Sequence, residues 1–190
     1  MLGGRLTRLG AMKSPLLLVL LWLAQATSMG APAGAGHVDH TNQFRIAQPR
    51  GWGAAPLAGR IVWHVASNGG TEQPDCGVIV SQDWSFAATG VDGYIRGQSR
   101  EGVKEMLSMN FTDVVIGHWE PNFTLAGQRA LHQIYTGTID GRRQTTMNIQ
   151  TVRGNKLYTF FCNAPADKFP LIYLDLLKVS DTFAFTGKRP

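Results

Sequence analysis

The sequence predicts an α+β domain, an antiparallel β-meander flanked by amphipathic helices, and three observations predict it. Residues 127–163 form three β-rich runs separated by the turn signals Asp140-Gly141 and Arg153-Gly154-Asn155. A two-residue hairpin turn needs positive φ, which Gly accepts without steric cost. Residues 94–111 and 167–183 instead place their apolar side chains at a 3.6-residue period. Three long antiparallel strands must bury at least one face, and the two helical stretches are the cover.

Taken in order, the chain first shows a basic segment with Arg5, Arg8 and Lys13, then the apolar run of residues 16–24. That run falls short of the ~20 apolar residues that span a bilayer. Small-residue patterns follow at Ala24-Gln-Ala26, Ala31-Pro-Ala33 and Ala33-Gly-Ala35. A cleaved secretory signal over residues 1–26 is expected, with cleavage as late as residue 35; an uncleaved anchor is the alternative. Residues 27–42, rich in Gly and Ala at their start and without a periodic pattern, read as a flexible lead-in. One domain over residues 43–186 remains, because a chain of 190 residues holds one ordinary core.

Of the 18 Lys and Arg, three lie in residues 1–26, leaving 15 against 13 Asp and Glu. The net charge of +5 is therefore partly a targeting charge, and a nucleic-acid role loses its compositional support. Arg142 and Arg143 begin one strand of the meander while Arg153 and Lys156 flank its far end, roughly 33 Å away at strand rise. They form no common patch and read as solvated turn residues. The two cysteines, Cys76 and Cys162, both lie in the exported part, where an even count suggests one disulfide. Two buried thiols are the alternative. A loop that long would contribute ~4 kcal/mol at most.

Within the domain, Phe44 and Ile46 alternate with Arg45 and Ala47 until Pro49 stops the strand. Trp52 then reads as a lid on the core or, alternatively, a ligand platform. Residues 60–66 are apolar on both faces, as in a central strand, and pair through a long polar connection with residues 76–81. In the helix of residues 94–111, Ile95, Val103, Met106 and Leu107 share a face, weakened by Gly97 and Gly102. A short strand over residues 114–119 is expected to end at Pro121. After the meander, Phe169, Ile172, Tyr173, Leu176, Val179 and Phe183 make one apolar stripe, with Pro170 tolerated in the first turn.

Several of these features, in this order, resemble the PsbP-like superfamily, which includes the bacterial DcrB-like envelope proteins. They are the opening Phe44, Ile46, Pro49, Gly51 and Trp52; Tyr135, Gly137 and Gly141 in the meander; Gly154-Asn-Lys-Leu-Tyr158; and the closing Ser180-Asp-Thr-Phe-Ala-Phe185. The likeness covers residues 43–186 and implies an α/β/α sandwich. It also implies a binding or accessory protein without catalysis of its own, since photosynthetic members assist an oxygen-evolving metal cluster and other relatives act as binding or chaperone-like modules. No metal-binding residue of the photosynthetic members maps onto this sequence.

Candidate chemistry is sparse. His37, Asp39 and His40 offer two imidazoles and a carboxylate in the lead-in, but a flexible segment must be ordered on binding, and a solvated tail is the simpler reading. His64, His118 and His132 fall in predicted strands, where a lone His is more often half-buried and hydrogen-bonded than catalytic. No Gly-x-Ser-x-Gly elbow, phosphate-binding loop or His-Glu-x-x-His motif occurs. Cys162, flanked by Phe160 and Phe161, reads as buried rather than nucleophilic. Asn110-Phe-Thr112 and Asn122-Phe-Thr124 match the glycosylation pattern, which arises readily by chance.

The expected function is an exported, periplasmic or secreted, non-enzymatic module of the cell envelope that contacts a protein partner. It is expected to use no cofactor, metal, nucleic acid or stable membrane span. Trp63, Trp84 and Trp119 are the aromatic candidates for its surface, with core packing as the competing use of each. One alternative is a metal-linked or hydrolytic protein using His64, His118 and His132 with Asp113 or Glu120, which requires three of these side chains to converge. Another is an inhibitor or immunity-type protein that blocks an envelope enzyme through the loop of residues 68–75.

Overall fold

The structure, a computed structural model, describes residues 36–67 and 73–187. The signal and cleavage readings over residues 1–35 lie outside them, as do residues 68–72 of the polar loop. The described strands are β1 (Gly36–Asp39), β2 (Phe44–Ala47), β3 (Trp52–Ala54), β4 (Ile61–Ser67) and β5 (Asp75–Gln82), then β6 (Thr112–Leu125), β7 (Gln128–Ile139), β8 (Arg142–Arg153), β9 (Lys156–Pro165) and β10 (Ala184–Phe185). Helices α1 (Trp84–Arg96) and α2 (Arg100–Leu107) separate β5 from β6, and α3 (Phe169–Asp181) separates β9 from β10.

Seven strands form an antiparallel sheet in the order β3-β4-β5-β9-β8-β7-β6. The expected meander is present and is one strand longer than expected. Asp140 and Gly141, with φ of 50° and 72°, make the tight β7–β8 turn that the sequence signals. Ala126 and Gly127, with φ of 51° and 73°, make an equivalent turn that joins β6 to β7. The strand expected to stop at Pro121 continues to Leu125, because β6 is the outer strand of the sheet. An edge position tolerates the missing N–H. Pairing with β7 is interrupted by register shifts, one of them between Glu120 and Phe123.

Residues on β7 point alternately to the two faces. The His132 ring lies parallel to that of Tyr173 on α3, with centroids 6.4 Å apart. Its neighbour Gln133 donates through Nε2 to Gln150 Oε1 at 2.8 Å, and the Tyr94 hydroxyl on α1 donates to the same oxygen at 3.0 Å. Tyr135 packs with Val103 and Leu107 of α2. Helices thus cover both faces, giving the α/β/α sandwich. The larger core lies on the α3 side, where Phe160, Ile149, Met147 and Val78 meet Leu176 and Phe183.

Instead of one helix over residues 94–111 there are two, and the first begins ten residues earlier, at Trp84. Asp83 caps α1 by accepting from the Ser85 backbone N–H at 2.8 Å, and Ser99 caps α2 by accepting from that of Gly102 at 3.0 Å. α3 occurs as expected, with Pro170 in its first turn.

The lead-in also differs from its reading. Residues 36–39 are β1, which pairs with β2, and β10 pairs with the other edge of β2 to complete a second, three-stranded sheet. Polar contacts join it to the β8–β9 hairpin. Lys156 Nζ donates to the Thr41 carbonyl at 2.9 Å and to Asn42 Oδ1 at 3.0 Å, and the Tyr158 hydroxyl donates to the Asn42 carbonyl at 2.8 Å. Arg153 is buried: it donates to the Gly187 carbonyl and lies 4.5 Å from the centre of the Phe185 ring. Arg153 and Lys156 are therefore tethers rather than solvated turn residues.

Cys76 and Cys162 are directly opposed on β5 and β9, with Cα atoms 4.1 Å apart, and are joined by a disulfide in the core. This settles the choice between bridge and free thiols, and it leaves Cys162 no thiol for nucleophilic use. The next cross-strand pair is Gly77 and Phe161. A Cβ at Gly77 would lie 2.5 Å from the Phe161 ring and 2.9 Å from the Trp63 carbonyl, so only Gly admits the ring here.

Candidate functional site

Three of the side chains named in the metal-linked alternative, His118, Glu120 and His132, meet on the α3 face at the outer edge of the large sheet. His118 and Glu120 stand two residues apart on β6 and so share a face. The β6–β7 register places Glu120 directly opposite His132. The result is a His-x-Glu pair with a cross-strand His, in which one ligand atom from each residue lies within 4.8 Å of the others. Glu120 Oε2 is 3.5 Å from His118 Nε2 and 3.9 Å from His132 Nδ1.

Burial is graded across the cluster. His132 is 1% exposed, while the side chains of His118 and Glu120 are 42% and 46% exposed, so the site opens to solvent on one side. The closed side is aromatic: the His132 ring centroid is 4.8 Å from that of Phe123 and 4.7 Å from that of His118. Neither carboxylate contact is a hydrogen bond. Among the described residues, His118 Nε2 and both ring nitrogens of His132 are buried without a hydrogen-bond partner. Such orphans are uncommon, because native proteins pair nearly all their buried polar atoms.

Electrostatics follow from this placement. Burial, reinforced by the nearby His118, pushes the His132 imidazole down to about 4, against a smaller opposing pull from Glu120. His132 is thus neutral at neutral pH and has a lone pair to offer. Burial also raises the Tyr173 phenol, and the Glu120 carboxylate adds to that shift.

The convergence required by the metal-linked alternative is met by His118, Glu120 and His132. His64 stands apart on β4, its Nε2 2.8 Å from Asp75 Oδ2 and its Nδ1 2.8 Å from the Pro56 carbonyl, which is the hydrogen-bonded state expected of a strand histidine. Asp113 is exposed at the start of β6 and is not in the cluster. The lead-in set does not assemble either: Asp39 accepts from the backbone and side-chain nitrogens of Asn42, both at 2.8 Å, and His37 packs on Phe44.

The three candidate tryptophans separate. Trp63 is buried in the main core, which removes it from any surface. Trp119 packs against the Val103, Leu107 and Tyr135 cluster. Trp84 alone of the three is strongly exposed, at 77%. Trp52 packs against the main core, as a lid would.

No protein-family model and no curated protein matches the chain. Solved structures do. The solution structure of cyanobacterial PsbP (CyanoP) from Synechocystis aligns with a TM-score of 0.60 over 83% of this chain and 95% of its own, at 14% identity. The fold is PsbP-like. The crystal structure of LpqN, involved in cell envelope biogenesis of Mycobacterium tuberculosis, aligns with a TM-score of 0.51 over 84% of this chain and 88% of its own, at 15% identity. A crystal structure from Bacteroides thetaiotaomicron aligns with a TM-score of 0.54 over 83% of this chain and 50% of its own, at 11% identity. At such identities the likeness concerns the path of the backbone. No helix among the described residues is long and apolar enough to cross a membrane.

Proposed function

We propose that the chain is an exported accessory module of the cell envelope, periplasmic or secreted, that works by binding a protein partner and catalyses no reaction. The Cys76–Cys162 bridge supports a location outside the reducing cytoplasm. The PsbP-like fold shared with LpqN, which is itself involved in cell envelope biogenesis, agrees with that location. The binding reading rests on one observation, the exposure of Trp84 at the first residue of α1. Tryptophan is among the residues enriched at interface hot spots, because it brings a large apolar surface at little conformational cost.

Crosslinking of the mature protein in an envelope extract tests this reading. A discrete partner is expected with the wild type and is lost in Trp84→Ala. Recovery of the same partner with Trp84→Ala would move the contact elsewhere, and a protein that crosslinks to no envelope component would refute the module.

A further inference from the structure

We propose that His118, Glu120 and His132 form a binding site for a borderline divalent transition-metal ion of the zinc class, held by three protein ligands and open on its fourth side. This inference concerns the opposite face of the sheet from α1 and does not depend on a partner at Trp84.

Geometry is the first support. Metal–donor bonds of ~2.0–2.1 Å in a tetrahedron separate the donor atoms by roughly 3.3 Å. The two contacts to Glu120 Oε2, at 3.5 and 3.9 Å, approach that separation, and all three donors lie within 4.8 Å of one another, so side-chain rotations that draw the imidazoles together would close the set around one ion. All three ligands sit on paired strands rather than on loops, and the backbone that aims them is fixed by the β6–β7 register.

The second support is independent of spacing. His132 is almost fully buried, yet neither of its nitrogens has a hydrogen-bond partner among the described residues, and His118 Nε2 lacks one as well. Buried polar atoms ordinarily find partners. A cation seated among them would accept the His118 Nε2 lone pair and that of one His132 nitrogen, while the carboxylate would offset its charge. The aromatic wall of Phe123 and Tyr173 lowers the local dielectric and strengthens that attraction.

Ligand chemistry narrows the ion. Two imidazoles and one carboxylate suit zinc, cobalt, nickel or copper(II), whereas calcium and magnesium require a shell of oxygens. Among the described residues, the second nitrogen of His132 has no hydrogen-bond partner that would orient and polarise the ring, and no fourth protein ligand joins the cluster. Both features weaken a site relative to closed structural zinc centres, so the site is suited to reversible loading.

The mature chain, prepared without a histidine tag, should bind one equivalent of Zn2+ by titration calorimetry. It should also bind one equivalent of Co2+ with the visible absorption of a tetrahedral centre. His118→Ala and Glu120→Gln, substitutions at partly exposed positions, should each weaken Zn2+ binding at least about 10-fold, the loss that even an outer-shell partner can carry. The double variant His37→Ala/His40→Ala should bind as the wild type does, and excess Ca2+ should not compete. Absence of saturable 1:1 binding would overturn the proposal. So would binding that survives both His118→Ala and Glu120→Gln, binding that is lost with His37 and His40, or displacement by Ca2+.

Discussion

Tyr94 donates its phenolic proton to Gln150 Oε1 across the contact between α1 and β8, and burial pushes its pKa from 10 up to about 12. An unfolded chain releases that proton near pH 10. Between those values the folded state holds a proton that the unfolded state has lost, so stability must fall as pH rises from about 10 to about 12 and be unaffected by this group below 10. Alkaline urea denaturation of wild type and Tyr94→Phe checks it. The variant should show a shallower decline, because one tyrosine no longer titrates differently in the two states. The site residues were legible only in part. His118 and Glu120 share a face by period two alone, but their meeting with His132 depends on the Ala126-Gly127 turn. Pro121 masks that turn, because a proline reads as the end of the strand. His64 has the same residue type and the same strand setting, and only its contacts with Asp75 and the Pro56 carbonyl show that its ring is already committed.

At the level of elements, β5 and β9 are fastened at Cys76–Cys162, which links residues 86 apart in sequence. Replacing both cysteines with alanine should lower the unfolding free energy by about 2–4 kcal/mol, measured by urea denaturation against the oxidised wild type. An unchanged midpoint would mean that the bridge adds nothing to a core that already packs Phe160 and Val78 around it. Strands β7, β8 and β9 and helix α3 are readable, since each carries a regular pattern and a chemically explicit turn or start, whereas β6 reads as ending at Pro121. The first two helices read as one in the sequence. Ile95, Val103 and Leu107 keep phase across the break, so the cap at Ser99 was hidden within an unbroken apolar pattern. The opening of α1, residues 84–93, has no signature in the sequence, because only Ile95 of that helix is buried and the early turns carry no apolar stripe.

On the scale of the whole molecule, two sheets share one core, and the smaller is held by side chains from the β8–β9 hairpin. Tyr158→Phe combined with Lys156→Ala removes the hydrogen bonds to Thr41 and Asn42. Amides in residues 36–47 should then exchange faster with deuterium while those of β7 and β8 keep their protection, because opening is local where few contacts cross. Equal loss of protection in both sheets would show instead that they unfold as one unit. Of this smaller sheet only β2 is visible in the sequence, through the alternation of Phe44 and Ile46 with Arg45 and Ala47; β1 lies in a stretch without an apolar pattern and β10 has only two residues, so both exist here through pairing and burial rather than propensity.

The broken course of β6 has a further consequence. A straight outer strand of 14 residues would present a stranger's backbone with an unbroken row of donors and acceptors, the template on which fibrils grow. Here Pro121 withholds a donor, the shifted register bends the rim, and the Arg129 guanidinium clasps the Pro121 carbonyl and Asn122 Oδ1 at 3.1 and 2.9 Å. The margin is thereby guarded against uninvited zippering while its inward-facing side chains keep their aim.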